Sequence, residues 1–349
     1  MRSFNYKEIC SNLLTPEIVA LLTKIYEYKG KQDLYKNVKV DVLEQLVEIA
    51  KIRSVDASNR IEGIYTSQER LKKLVKGKTM PQNRDEEEIA GYRDVLATIH
   101  ESHDYVPLKT GVILQLHRDL YKFSGKSIGG DYKVTSNTIV EEDVNGNKLV
   151  RFQPVEAWET PEAMESICNA YDKAINDHIE VLLAIPVFIL DFLCIHPFSD
   201  GNGRMSRLIT LLLLYRAGYD VGKYISIEKI IEQSKETYYE VLLQSSIDWH
   251  EGKNNYLAFV KYTLGTILSA YRDFSTRAEI LTSNSLNKPD MVRELIKGRL
   301  GKITKREIME EYPDISQVTV QRALRDLHKN GDIIKIGGGR YTEYTWKHQ

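Results

Sequence analysis

The sequence predicts a mainly α-helical protein with one β-hairpin set into it and a small helix-and-hairpin module at its C-terminal end. Three observations carry this expectation. Apolar residues recur at helical spacing through most of the chain before the module. One Asn-Gly pair, Asn145-Gly146, lies between two β-prone runs, the strongest short-range hairpin signal. The charge balance also reverses. Residues 288–349 hold 13 Lys/Arg and 9 Asp/Glu, a net of +4, while the residues before them hold 35 and 40, a net of −5.

The composition narrows the class. The 349 residues are 42% hydrophobic and 28% charged, an ordinary globular profile that excludes disordered and fibrous chains. At about 150 residues per domain the length allows two or three domains, enough to bury a core without disulfides or metals. The net charge of −1 gives no general attraction to nucleic acid or anionic membrane. Cys10, Cys168 and Cys194 are far apart and form no CxxC pair, which argues against a disulfide scaffold or structural zinc. The first ten residues have no apolar core of a signal peptide. The longest apolar stretch, residues 181–190, is interrupted by Pro186 and falls well short of the roughly twenty residues of a membrane span. The expectation is a cytoplasmic protein with no membrane partner.

Helices are expected over residues 40–53, 110–121 and 164–178. Strands are expected over residues 132–140 and 149–152, flanking Val144-Asn145-Gly146-Asn147. Residues 281–290 are polar, contain Pro289, and read as a linker. Beyond it come helices over 291–300, 305–311 and 315–329, with Ser316 as a cap and Gly331 just past the end. Residues 333–336, the turn Gly337-Gly338-Gly339 and residues 340–346 then form a hairpin. This order is similar to a winged helix-turn-helix. Its third helix carries Gln317, Thr319, Gln321, Arg322 and Arg325, types that reach base edges and phosphates. Many such modules bind protein instead, so the partner is DNA or protein.

The chemistry concentrates in IHPFSDGNGRMSRLITLLLL, residues 195–214. An apolar helix ends near His196-Pro197, and a second starts near Arg204. Between them Asp200-Gly201-Asn202-Gly203 permits close backbone approach. Successive backbone N–H groups before a helix N-terminus make an anion cradle. Arg204 and Arg207 share a helix face and can reach one anion. Asp200 can hold a divalent cation, since magnesium usually takes one or two carboxylates plus substrate phosphates. His196 can accept a proton near neutral pH. Together these are the parts of a phosphoryl-type transfer site. No GxxxxGK[ST] occurs, which excludes a P-loop nucleotidase.

The segment from His196 to Arg207 resembles the HxFx[DE]GNGRxxR signature of Fic-domain proteins at every fixed position. The resemblance covers roughly residues 85–249. It implies a Fic-type helical core with a β-hairpin flap, and transfer of AMP from ATP to a Tyr, Ser or Thr hydroxyl of a target protein. On that resemblance His196 is the general base and Phe198 anchors the loop. Asp200 binds Mg²⁺. Gly201, Asn202 and Gly203 form the anion hole, with Asn202 also offering its side-chain amide. Arg204 and Arg207 hold the β- and γ-phosphates. Leu149, Val150, Arg151 and Phe152 form the target-docking flap, and Tyr238 and Tyr239 lie beside the adenine or simply pack.

Ser58-Asn59-Arg60-Ile61-Glu62-Gly63 fits [ST]xxxE[GN], which resembles the family's inhibitory helix. Glu62 then pairs with Arg207 and displaces the γ-phosphate, since a desolvated Arg–carboxylate pair is strong. In some relatives the same Glu assists AMP removal, so a deAMPylase remains an alternative. A winged-helix DNA-binding regulator with a nucleotide-sensing core is the other. The other histidines lack metal-ligand spacing and read as surface or packing residues. The expected division is residues 1–84, a helical N-terminal region with the inhibitory helix; 85–280, the catalytic core and its helical extension; and 288–349, the C-terminal module. The resemblance also allows a homodimer.

Overall fold

The computed structural model describes residues 2–36, 40–124, 128–142, 148–282, 288–299, 301–312, 315–339 and 342–347. Six helices open the chain: α1 (Tyr6–Asn12), α2 (Pro16–Lys36), α3 (Val40–Ile61), α4 (Gln68–Val75), α5 (Arg84–Ser102) and α6 (Thr110–Leu120). An antiparallel hairpin follows, β1 (Ile139–Glu142) and β2 (Lys148–Phe152). Six more helices complete the larger unit: α7 (Thr160–Asn176), α8 (Val181–Ile195), α9 (Asn202–Arg216), α10 (Ile227–Gln233), α11 (Lys235–Ser246) and α12 (Leu257–Thr282).

The larger unit is built around α8. Its residues are apolar on every side, and such a helix must be covered all round. α1, α7, α9, α11 and α12 pack against it, and every residue from Leu182 to Ile195 is buried. Its one charged residue, Asp191, is satisfied inside the core. The carboxylate accepts from Tyr6 Oη at 2.8 Å, Trp249 Nε1 at 2.7 Å and Tyr256 Oη at 2.7 Å. Burial raises the Asp191 pKa despite Arg2 and these donors. The network ties α1 and the loop after α11 to the helix that delivers His196.

α3 is held by directional bonds as well as by apolar contact. Ser54 Oγ donates to Glu228 Oε2 at 2.7 Å, and Tyr92 Oη donates to Glu228 Oε1 at 3.0 Å. Asn59 Nδ2 donates to Val55 O at 2.7 Å. These polar contacts carry the helix to Ile61, eight residues past the end expected from apolar spacing at residue 53. The buried core of the unit runs without a break from Tyr6 to Ala278.

The smaller unit comprises α13 (Lys288–Gly298), β3 (Ile303–Thr304), α14 (Lys305–Glu311), α15 (Gln317–Lys329), β4 (Ile333–Ile336) and β5 (Glu343–Trp346). It has its own core, centred on Val292, Ile308, Val320 and Ile333. The sheet is antiparallel in the order β3-β5-β4. Sequence reasoning missed β3, which is two residues long, and Thr304 doubles as the α14 cap. Thr304 and Glu307 form a capping box. Ser316 accepts from Thr319 N as expected of a cap, and Gly331 sits at φ 79° past the end of α15.

Two local expectations are corrected. Residues 132–138 are not strand, because their polar groups bond to the loop after α8 instead of to a partner strand. The expected linker is shorter, since α12 reaches Thr282 and Pro289 lies inside α13; residues 283–287 lie outside the described residues. The expected turn at 144–147 also lies outside them.

Candidate active site

The end of α8 sets the site. His196 takes a left-handed conformation, φ 52° and ψ 61°, which costs energy for a non-glycine residue. Its backbone N–H donates to Phe192 O at 2.9 Å, and its Nδ1 lies 3.3 Å from Leu193 O. That carbonyl only accepts, so Nδ1 carries the proton and Nε2 the lone pair. Burial holds the imidazole pKa down at about 4, and Lys133 assists, while the Leu193 carbonyl, Glu62 and Asp200 act in the opposite sense. At neutral pH the ring is therefore a neutral imidazole with Nε2 free to accept a proton.

The loop beyond is braced by its own buried groups. Phe198 is buried and stacks on His117 with 3.6 Å between ring centroids. His117 Nδ1 accepts from Gly130 N at 3.1 Å, so its Nε2–H donates to Asp200 O at 3.0 Å. Burial holds His117 near a pKa of about 4. Asn202 bridges the loop, accepting from Phe198 N at 2.9 Å and donating to Phe198 O at 2.7 Å. The Asn202 amide thus braces the loop. Gly201, at φ 83°, caps α9 in a conformation that favours glycine.

The two arginines diverge. Arg204 turns into the core, where Nη1 lies 2.8 Å from Glu88 Oε2 and Nη2 donates to Tyr121 Oη at 2.7 Å. Arg207 faces a cleft and is 4% exposed. Its Nε donates to Ser58 Oγ at 2.8 Å, and its Nη2 donates to Ser58 O at 3.0 Å and to Glu62 Oε1 at 2.7 Å. Burial opposes the Arg207 charge, and Glu62, Tyr238 and Tyr92 outweigh it, so its pKa is raised. Glu62 lies just beyond α3, with Gly63 at φ 79° ending the helix. A carboxylate at a helix C-terminus is opposed by the helix dipole. Arg207 offsets this, and Lys235 Nζ caps the nearby Ile61 carbonyl at 2.7 Å. Glu62 also reaches over Gly203: a Cβ there would lie 2.2 Å from its Oε1.

The cleft encloses about 800 Å³, including the part open to solvent. It brings together Glu62, Arg151, Phe152, His196, Gly203, Arg207, Tyr238 and Tyr239. Asp200, Gly201, Asn202, Arg204 and Val150 do not line it, and the side chain of Leu149 lies outside what the structure describes. Tyr238 is buried, and its ring lies 5.3 Å from that of Tyr239 in an edge-on contact. Arg151 is the extra residue where the hairpin register shifts between Ile139 and Val140. Such a bulge re-aims a side chain, and Arg151 reaches the Tyr239 carbonyl. Phe152 packs on Trp249 and His250, while Val150 is exposed.

Asp200 stands at the solvent side of the loop. Its Oδ1 accepts from Gly201 N at 2.7 Å, and Arg84 Nη2 lies 3.6 Å from its Oδ2. Among the described residues no group of three or more His, Cys, Asp or Glu could hold a metal. One accessible carboxylate fits a Mg²⁺ ion carried largely by phosphates and water, and does not fit a resident metal caged by protein. No helix among the described residues is long and apolar enough to cross a membrane.

A histidine at a helix end, a clamped arginine and a glycine-lined helix N-terminus thus meet around one cleft. Residues 107–214 match the Fic/DOC family model, and the chain carries a Fic domain. It is similar to the protein adenylyltransferase Fic of Culex quinquefasciatus, 28% identical over 155 residues, covering 44% of this chain and 27% of that protein. The same-named protein of Nematostella vectensis is 33% identical over 116 residues, covering 32% and 25%. The matches thus span about a quarter of these curated relatives. The fold is similar to a Fic family protein from Desulfovibrio desulfuricans, with a TM-score of 0.62, 23% identity and coverage of 96% of this chain and 97% of that one. A Fic domain containing signaling protein from Bacteroides thetaiotaomicron gives 0.60 and 22%, covering 78% and 100%.

Sequence reasoning missed Glu88, Tyr121, Lys133, Asn137 and the Leu193 carbonyl. Glu88, Tyr121, Lys133 and Asn137 carry no local signal because each reaches the site from a distant part of the chain, and the Leu193 carbonyl is a backbone group that residue types do not mark. His117 was legible only as a packing residue, and its bonds to the loop depend on the fold.

Proposed function

We infer that the chain is a Mg²⁺-dependent protein adenylyltransferase that moves AMP from ATP to a Tyr, Ser or Thr hydroxyl of a target protein, restrained by Glu62. The observation that carries this reading is the Arg207–Glu62 contact, 2.7 Å, in the cleft lined by His196. It supports inhibition in the same chain, because a γ-phosphate would need the same guanidinium.

The geometry supports the following roles. His196 Nε2 takes the proton of the target hydroxyl. The hydroxyl oxygen forms a bond to the α-phosphorus as the bond to the β-phosphate oxygen breaks, and pyrophosphate leaves. The N–H groups at the start of α9 face the phosphates, and Arg207 holds the γ-phosphate once Glu62 withdraws. Arg204, paired with Glu88, serves as a brace of the loop. Asp200 is the residue that would hold Mg²⁺, whose charge offsets that of the phosphates. Tyr238 and Tyr239 form the adenine wall, and the hairpin edge receives the target segment by strand addition.

The division at residues 84 and 288 is kept as part of this proposal, with residues 288–349 as a winged helix-turn-helix. Gln317, Gln321, Arg322 and Arg325 are exposed along α15, which supports DNA or a target protein as its partner.

The test is AMP transfer by Glu62→Gly with and without His196→Ala. Loss of the base should lower the rate by about 10²–10⁴-fold. Unchanged transfer in the double variant would contradict the mechanism. Release of AMP from a modified target, lost in Glu62→Gly, would instead favour the deAMPylase.

A further inference from the structure

Lys133 is a buried cation to which the adenylyltransferase reading assigns no task. It is 3% exposed. Among the described residues it has no ion pair within 4 Å. A buried ammonium without a carboxylate partner costs free energy, so an apolar residue would serve better if packing were its only duty. Its Nζ donates to Ile195 O at 3.0 Å and to Asn137 Oδ1 at 3.0 Å. Its backbone N–H donates to Pro197 O at 2.9 Å. Asn137 Nδ2 in turn donates to Phe198 O at 3.3 Å. Three carbonyls flanking His196, those of Ile195, Pro197 and Phe198, are therefore held from one short segment. That segment runs directly into β1, whose Ile139 lines the cleft.

We propose that Lys133 is a positioning residue for His196, clamping the loop that carries the base and joining that loop to the hairpin. The clamp acts in two ways. It satisfies an orphan carbonyl at the C-terminus of α8, where a cation is also favoured by the helix dipole. It also places positive charge behind the imidazole, which disfavours a second ring proton and keeps Nε2 available. Burial brings the Lys133 pKa down to about 8 against the more distant carboxylate of Glu156, so the ammonium form is retained at neutral pH. The other groups acting on His196 are Glu62 at the end of α3 and Asp200 on the loop, both favouring protonation. Arg207 on α9, Arg151 on β2 and Tyr238 and Tyr239 on α11 share the cleft.

This inference rests on the adenylyltransferase reading for its kinetic arm alone. In the Glu62→Gly background, Lys133→Met should lower the AMP-transfer rate by about 10²-fold, as a misplaced catalytic group does. The dissociation constant for ATP should change less than about twofold, since Lys133 touches no cleft surface. Lys133→Arg should recover most of the rate. Asn137→Ala, which keeps the lysine, is the milder second variant and should give a smaller loss of the same kind. The second arm needs no reaction: an NMR titration of the His196 imidazole should show its pKa rising in Lys133→Met. If the parent Glu62→Gly transfers no AMP, the adenylyltransferase reading fails and this titration still decides the role of Lys133. An unmoved His196 titration, or a transfer rate kept within about threefold in both Lys133→Met and Asn137→Ala, would overturn the proposal.

Discussion

Two arginine–carboxylate clusters differ in how far water reaches the carboxylate, and α3 contributes to both. At one, Arg207 meets Glu62, whose side chain is 31% exposed at a cleft open to water. At the other, Glu311 of α14 meets Arg53 of α3 at 2.8 Å and Arg277 of α12, and Arg299 stands 3.9 Å away. There the Glu311 and Arg277 side chains are 6% and 8% exposed. Burial alone would raise the Glu311 pKa, and Arg277 and Arg53 hold it well below the ordinary value instead. The difference teaches what each contact can do. A carboxylate that water can reach can leave its arginine to a competing phosphate. One buried between two units and shared by three arginines cannot leave without exposing uncompensated charge.

The largest expected effect is at the buried cluster. Glu311→Ala should cost about 3–5 kcal/mol, as when one partner of a buried ion pair is removed. Urea unfolding would measure this, and a cost below about 1 kcal/mol would place Glu311 with surface pairs. Glu62→Gly should cost less, about 1–3 kcal/mol, because Arg207 loses its carboxylate but keeps both bonds to Ser58, and water enters where the carboxylate stood. The same variant should raise AMP transfer, so stability and activity separate at one residue. Ser58→Ala should cost about 1–2 kcal/mol and raise transfer less, since it removes a bond to Arg207 and leaves Glu62 in place. The smallest effect is a matter of pH. A depressed carboxylate pKa stabilises the fold fully above about pH 4.3, and that contribution is lost as pH falls below it. Hydrogen exchange in α14 should therefore quicken below about pH 4 while that around α8 holds.

The same contrast explains what could be read from the sequence. The loop from His196 to Arg207 was legible because its functional residues are neighbours in the chain, and their spacing alone implies a helix N-terminus that cradles anions. Ser58 and Glu62 were legible once that loop had been found. The pairing of Arg204 with Glu88 was not, since neither residue carries a mark of burial and Arg204 resembles a phosphate ligand as much as a brace. Residues 132–138 were β-prone and became a strut, because the loop after α8 offered their polar groups better partners than a strand would. α3 extended beyond its apolar pattern for a similar reason: Ser54, Ser58 and Asn59 find their bonds inside the protein. Local periodicity reports apolar faces and passes over polar ones that become buried.

The central claim is that Glu62 restrains an AMP-transfer site by holding Arg207. It is tested most directly by incubating wild type and Glu62→Gly with α-labelled ATP and Mg²⁺ in a cell lysate. The account predicts label on protein with the variant and little with wild type. No label with either, or equal label with both, would contradict it.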